Sequence, residues 1–351
     1  MIRRFPVSFG ALALSGIVAS YVAARHSIAR AAERAFYVQV EQRLTQSGRA
    51  FGPSAGERWF GMYRPELPWD YHRFNDISRE LGVRPRIVSF YQAWGEGPEH
   101  VFKTDAIEAA FAHGLVPLIT WEPWLSDFGK RSHEAPAGSV ERIVKGDYDD
   151  YVRAYAVAVT RARKPLFLRP FHEVGNPWYG WSTTYNPPGL VAEAYRHVVR
   201  IFREQGAKNA VFVWTPYTPQ DDAAWPGDDW VDWIGLDVFN FGALSSEARW
   251  DSFADVLSWQ RTALKGHDKP WMLAEIGCSE LGGDQAAWWQ QAFETLAHDP
   301  LPNLGAIVVY DNPRYTSHES RTAVHLGISS RADIPRKLST KARAARLEGA
   351  D

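Results

Sequence analysis

The strongest constraint on the fold is a rhythm. From Trp59 onward, short apolar runs alternate with longer helix-like stretches, the pattern of βα units around a parallel sheet. The runs read as strands at 59–63, 86–91, 115–121, 165–170, 210–214, 233–238, 271–275 and 306–310. Helical patterns fall between them at 148–163, 190–205, 253–265 and 285–296. Eight strands spaced by about 35 residues predict an α/β chain closed as a (β/α)8 barrel of ~250 residues. A doubly wound sheet is the other arrangement such a rhythm allows. It would normally show a glycine-rich turn after its first strand, and Met62-Tyr63-Arg64-Pro65 is not one.

The rest of the 351 residues is divided around that domain. Arg3 and Arg4 precede a stretch from Phe5 to Ala24 with few polar groups, and charge returns at Arg25. At about 20 residues this is long for a secretory signal and just long enough to span a bilayer. Residues 1–35 are therefore expected to be a signal peptide or a membrane anchor. That places the protein outside the cytoplasm: secreted, periplasmic or anchored facing outward. Residues 36–57 form a connector broken by Gly48, Gly52, Pro53 and Gly56, 58–333 the barrel, and 334–351 a basic tail that starts as a helix. A net charge of −2 leaves no large basic field for nucleic acid. The single cysteine, Cys278, excludes an internal disulfide and a cysteine-rich zinc site.

Several short motifs fail on context. Gly52-Pro53-Ser54-Ala55-Gly56 matches a nucleophile elbow but follows a polar connector instead of a strand. Gly95-Glu96-Gly97 runs into Pro98 and is no dinucleotide fingerprint. His133-Glu134 and His172-Glu173 each lack a second histidine four residues on, where Ala137 and Asn176 stand.

In a barrel of this kind, polar residues just past strand C-termini are the ones that do chemistry. Glu173 follows the fourth strand and Glu275 ends the seventh, three βα steps apart, so both side chains can reach over the mouth from nearly opposite sides. Two carboxyls ~5–5.5 Å apart are what retaining glycoside hydrolysis requires: one a proton donor, the other an ionised nucleophile. Arg169 is placed to hold a carboxylate by paired hydrogen bonds. The 16 tryptophans are more than a core needs. Trp94, Trp121, Trp124 and Trp214 at strand ends, with Trp178, Tyr179 and Trp181 after Glu173, are expected to line a groove that stacks on sugar rings. His172 completes the set of candidates.

The segment Arg169-Pro170-Phe171-His172-Glu173-Val174-Gly175-Asn176-Pro177-Trp178-Tyr179-Gly180-Trp181 resembles the acid/base segment of glycoside hydrolase family 26. Residues 225–239, from Trp225-Pro226-Gly227 to Asp237-Val238-Phe239, resemble its sixth-strand segment, and Ala274-Glu275-Ile276-Gly277 its nucleophile segment. The resemblance implies a retaining endo-β-glycanase acting on a polysaccharide or oligosaccharide, with β-1,4-mannan first and mixed-linkage β-glucan next. It implies Glu173 as acid/base, Glu275 as nucleophile, and no metal or cofactor. Three departures stand out. Gly175-Asn176 reverses the usual order. Phe239 replaces a tyrosine whose hydroxyl touches the nucleophile, leaving Tyr310 or Asn240 to substitute. The first strand lacks a histidine that mannanases of the family tend to carry. A transglycosylase, a carbohydrate-binding barrel without catalysis and a membrane-tethered scaffold are the alternatives.

Overall fold

The computed structural model describes residues 51–347 apart from 54–55, 126–127, 129–138, 246, 317–322 and 346. The amino-terminal segment 1–35, most of the connector, Ser54 and the His133-Glu134 pair lie outside the described residues. Eight strands follow one another round a closed parallel barrel: β1 (Trp59–Tyr63), β2 (Ile87–Ala93), β3 (Val116–Glu122), β4 (Leu166–Pro170), β5 (Ala210–Trp214), β6 (Trp233–Asn240), β7 (Trp271–Cys278) and β8 (Leu304–Tyr310). The ring closes where β1 meets β8, with Trp59 opposite Ala306 and Tyr63 opposite Tyr310. This is the expected barrel, and the open doubly wound sheet is excluded.

Helices α1 (His72–Leu81), α2 (Thr104–Ala112), α3 (Ser139–Val144), α4 (Asp149–Ala162), α5 (Pro188–Glu204), α6 (Phe253–Gln260), α7 (Gln285–His298) and α8 (Asp333–Ala344) surround it. Local sequence accounts for several of their ends. Pro188 opens α5, where its missing N–H costs nothing. The Ser252 hydroxyl accepts from the Asp255 N–H and caps α6, and the Asp284 carboxylate caps α7 through the Ala287 N–H. The run expected to be helical to residue 265 is α-helix only to Gln260 and continues as a tighter 3-10 turn over Arg261–Leu264. A short antiparallel pair, β9 (Asn312–Tyr315) and β10 (Val324–Leu326), follows β8.

The helix expected at the start of the basic tail is α8, and it belongs to the barrel wall. Ile334, Pro335, Leu338 and Ala342 are buried where it packs on α1 and α7. Its lysines turn outward, Lys337 to Asp333 at 2.6 Å and Lys341 to Glu294. The packed domain therefore runs past the boundary drawn at 333.

Alternation along each strand divides the apolar residues into two cores. Inside the barrel lie Trp59, Ile87, Val116, Leu118, Phe167, Val211, Val213, Trp233, Met272, Ala274, Ala306 and Val308. Phe51, the last part of the connector, plugs the N-terminal end of this core edge-on to Trp59 at 5.3 Å. The other face of every strand packs against the helices. At inner positions 61 and 235 only glycine fits, because a Cβ would lie 2.6 Å from Ile87 and from the Thr215 hydroxyl respectively.

Candidate active site

The same alternation, carried to the C-terminal ends, sets which side chains reach the mouth. From inward Ile87 and Ser89, β2 brings Tyr91 inside; from Val116 and Leu118, β3 brings Thr120 and Glu122; from Phe167, β4 brings Arg169. Arg169 is fully buried, and an unpaired charge there would be very costly. Its guanidinium meets Asp237 at 2.9 and 3.1 Å, donates to the Thr120 hydroxyl at 3.0 and 2.8 Å, and donates to Glu275.

Glu275 reaches the mouth by a β-bulge. Leu273 pairs with Leu236, but the next pair is Glu275 with Asp237, so β7 carries one extra residue against β6. On the β8 side Leu273 and Ile276 pair with Ile307 and Val309, two residues of β7 facing one of β8. Leu273 and Ile276 both face the helices, Ala274 faces the barrel core, and Glu275 turns inward beside it. Re-aiming one side chain is a characteristic effect of a bulge. The Tyr91 hydroxyl donates to the same carboxylate.

Glu173 is delivered by a strained turn. Phe171 and Glu173 have φ of 52° and 50°, left-handed values that cost a non-glycine residue roughly 1–3 kcal/mol each. Tertiary contacts hold the turn: Val174 N–H donates to the Thr215 carbonyl at 3.2 Å, and Thr183 N–H to the Val174 carbonyl at 2.7 Å. The Asn176 amide donates to Glu173 Oε2 at 2.6 Å. This gives the reversed Gly175-Asn176 pair a physical reason. A Cβ at 175 would fall 2.1 Å from the Asp221 carboxylate, so glycine must stand there, and asparagine one residue on still reaches Glu173.

Glu173 and Glu275 sit close enough to sense one another. Burial, and next the Glu275 charge, raise the Glu173 carboxyl from 4.5 to about 7, against the Asn176 hydrogen bond and Arg169. Glu122 is a third carboxyl at the mouth, raised to about 7 mainly by burial. Burial and Arg169 hold His172 well below its ordinary value, so the imidazole is neutral. Its Nε2 lies 2.9 Å from the Tyr179 hydroxyl and 4.0 Å from Glu122. Tyr63, stacked on Tyr310 at 4.6 Å and edge-on to Tyr91 at 5.1 Å, is pushed up to about 12 by burial and then Glu275.

The expected groove of tryptophans needs correction. Trp94, Trp121 and Trp214 are buried in the helical layer. Trp121 lies between inward Thr120 and Glu122, so alternation points it outward; Trp214 follows inward Val213 and does the same. Trp181 is buried too, its indole N–H donating to the His172 carbonyl at 2.9 Å while its ring stacks on Tyr179 at 4.4 Å. Trp178 alone of the named tryptophans is open, at 49% exposure. Neither residue offered in place of the missing tyrosine touches Glu275. The Asn240 amide turns to Cys278, with its oxygen accepting from Gly242 N–H at 3.2 Å, and the Tyr310 hydroxyl accepts from Asn312 at 3.3 Å. Phe239 stacks on Phe241 at 5.1 Å. The tyrosine hydroxyl on Glu275 comes instead from Tyr91, four strands away in the chain order. Tyr91, Thr120, Glu122, Asp237 and Asn176 were missed at the sequence level, and all but Asn176 were findable by counting alternate residues from the inward apolar positions.

The larger cavity, about 920 Å³, lies at the opposite end of the barrel, against Phe51, Trp233 and Leu304. It is remote from every group above, and barrel enzymes work at the C-terminal face. Among the described residues no cluster of histidine, cysteine or carboxylate side chains is arranged to hold a metal ion.

A family model described as "Glycosyl hydrolase family 26" matches residues 133–265, a stretch that holds Glu173 and Asp237 and ends before Glu275. Over those residues the chain is similar to glycoside hydrolase family 26. Among curated proteins, Endoglucanase H of Acetivibrio thermocellus is 30% identical over 58% of this chain and 23% of its own length. A β-1,3-xylanase of a Vibrio species is 29% identical over 59% of this chain and 42% of its own. A mannan endo-1,4-β-mannosidase of Thermothelomyces thermophilus is 28% identical over 62% and 47%. The chain thus spans less than half the length of these relatives. A β-mannanase structure from Bacteroides ovatus shares the fold at a TM-score of 0.59, with 17% identity and coverage of 90% and 94%. A modular endo-β-1,4-mannanase from Cellulomonas fimi shares it at 0.62, with 18% identity and coverage of 89% and 77%.

Proposed function

We propose that this protein is a retaining endo-β-glycanase. The observation that carries the reading is the contrast between two facing carboxyls. Glu173 is raised to about 7 by burial and then by Glu275, while Glu275 is fixed in place by hydrogen bonds from Arg169 and Tyr91. In the first step Glu275 attacks the anomeric carbon as Glu173 gives its proton to the departing glycosidic oxygen, leaving a glycosyl ester on Glu275. In the second, Glu173 takes a proton from water, whose oxygen attacks the same carbon and releases Glu275. The substrate is a β-linked polysaccharide. Similarity to the mannanases supports a β-1,4-mannan backbone. The 30% identity to an endoglucanase, with no histidine in Met62-Tyr63-Arg64-Pro65, favours a β-glucan as the first to test.

Export from the cytoplasm belongs to the same proposal, because a polymer of that size is met outside the cell. No helix among the described residues is long and apolar enough to cross a membrane.

A panel of soluble β-glycans with product sizing tests the activity. Glu173→Ala and Glu275→Ala are each expected to remove nearly all release of reducing ends while circular dichroism stays unchanged. Parental rates in Glu275→Ala would refute the mechanism.

A further inference from the structure

A pocket of about 270 Å³ opens beside the mouth at the ends of β1 and β2, bounded by Tyr63, Trp69, Tyr91, Gln92 and Lys103. Tyr91 is shared: its hydroxyl holds Glu275 and its ring lines the pocket. Tyr91 thus stands between the pocket and Glu275. On the other side, after β4 and β5, Trp178, Tyr185 and Tyr217 are the exposed rings, and the Tyr217 hydroxyl senses the Glu173 charge. If Glu173 protonates the departing oxygen, the departing half of the substrate runs over β4 and β5. The half retained on Glu275 then runs toward β1 and β2, over this pocket.

The pocket is built before any ligand arrives. The Gln92 amide donates to the His100 carbonyl at 3.0 Å, the Tyr155 hydroxyl donates to Gln92 at 2.9 Å, and the Tyr151 hydroxyl donates to the His100 carbonyl at 2.8 Å. These bonds fix the loop that forms one wall. Two polar side chains of the wall are tied locally: Glu99 lies 3.2 Å from His100, and the Lys103 ammonium donates to the Pro98 carbonyl at 2.8 Å. Trp69, by contrast, is 59% exposed, an indole face offered to solvent at the rim. The volume is just below the roughly 300–1,000 Å³ of drug-sized sites, which suits one ring and not a run of them.

We propose that this pocket is a subsite for one neutral sugar ring of the retained half of the substrate, stacked on Trp69. The assignment rests on the glycanase reading. Trp69→Ala should fold, because the side chain is largely in solvent. The probes are aryl β-glycosides of increasing length, built on whichever backbone the wild type cleaves best. In the wild type kcat/KM is expected to rise at the length that first reaches the pocket. In Trp69→Ala that rise is expected to shrink by about threefold to tenfold, the scale of one aromatic stacking contact. Calorimetric binding of the same oligosaccharides to Glu275→Ala, with and without Trp69→Ala, should show the same factor. A cleaving wild type whose length profile is untouched by Trp69→Ala would overturn the subsite and leave the glycanase reading standing. No cleavage and no binding of any β-glycan would overturn both.

Discussion

The acidity of Glu173 has two causes that substitution can separate. Burial is the larger and the Glu275 charge the next, and together they raise the carboxyl from 4.5 to about 7. At pH 7 an ordinary glutamate keeps its proton about one time in 300, whereas Glu173 keeps it about half the time. Glu275→Gln removes the charge and keeps the shape. At the ~5.5 Å spacing that retaining chemistry requires, two unit charges in an effective dielectric of about 20 repel by about 3 kcal/mol, or roughly two pH units. The Glu173 midpoint should therefore fall by roughly one to two units in Glu275→Gln. It should remain above 4.5, because burial is unchanged. Titration of carboxyl-¹³C-labelled glutamates by NMR reads this directly, with Glu173 assigned by the signal lost in Glu173→Gln. The same shift has a thermodynamic side. Between pH 4.5 and 7 the folded state binds more protons than the unfolded, so stability falls as pH rises through that window. Glu173→Gln should then stabilise the protein by up to about 3 kcal/mol at pH 8 and hardly at all at pH 4, measured by denaturant unfolding. A wild-type midpoint near 4.5, or one that does not move in Glu275→Gln, would refute the paired-carboxyl argument.

Three further outcomes follow from the hydrogen bonds and the packing. Tyr91→Phe removes the hydroxyl from Glu275. It should lower kcat by about 10- to 1,000-fold, the range seen when one preorganised donor is lost, with the fold intact by circular dichroism. An unchanged kcat would show that Arg169 alone positions Glu275. Trp214→Ala empties a fully buried site in the helical layer and should destabilise the protein by about 3–5 kcal/mol, seen as a lowered denaturation midpoint. Trp178→Ala, at an exposed position, should leave that midpoint in place and raise KM on long substrates.

What the chain discloses without coordinates is uneven, and strand geometry explains why. The strand rhythm was readable because each strand carries its own apolar run, and the two glutamates because strand ends are marked by where those runs stop. Position at a strand end does not by itself place a tryptophan in the groove. A strand end has two faces, and one residue of offset separates the groove from the helical layer. Counting from inward Val116 and Leu118 sends Thr120 and Glu122 into the mouth and Trp121 out of it. The same count from Ile87 and Ser89 finds Tyr91, the hydroxyl that replaces the one lost at Phe239.

That rule, applied to β7, would have rejected Glu275. From inward Met272 and Ala274 it points Glu275 at the helices and Ile276 at the mouth. The bulge reverses this, and it is set by pairing with β6 and β8, which no run within β7 encodes. Electrostatics gives the bulge its reason. With the extra residue, Asp237 and Glu275 stand directly opposite each other and both reach the Arg169 guanidinium. Without it, Arg169 would keep one carboxylate, and Glu275 would be driven as a bare charge into the packing between barrel and helices, at a cost of several kcal/mol. The buried arginine and the bulged strand are therefore two parts of one device, and the position of the Glu275 carboxylate depends on both.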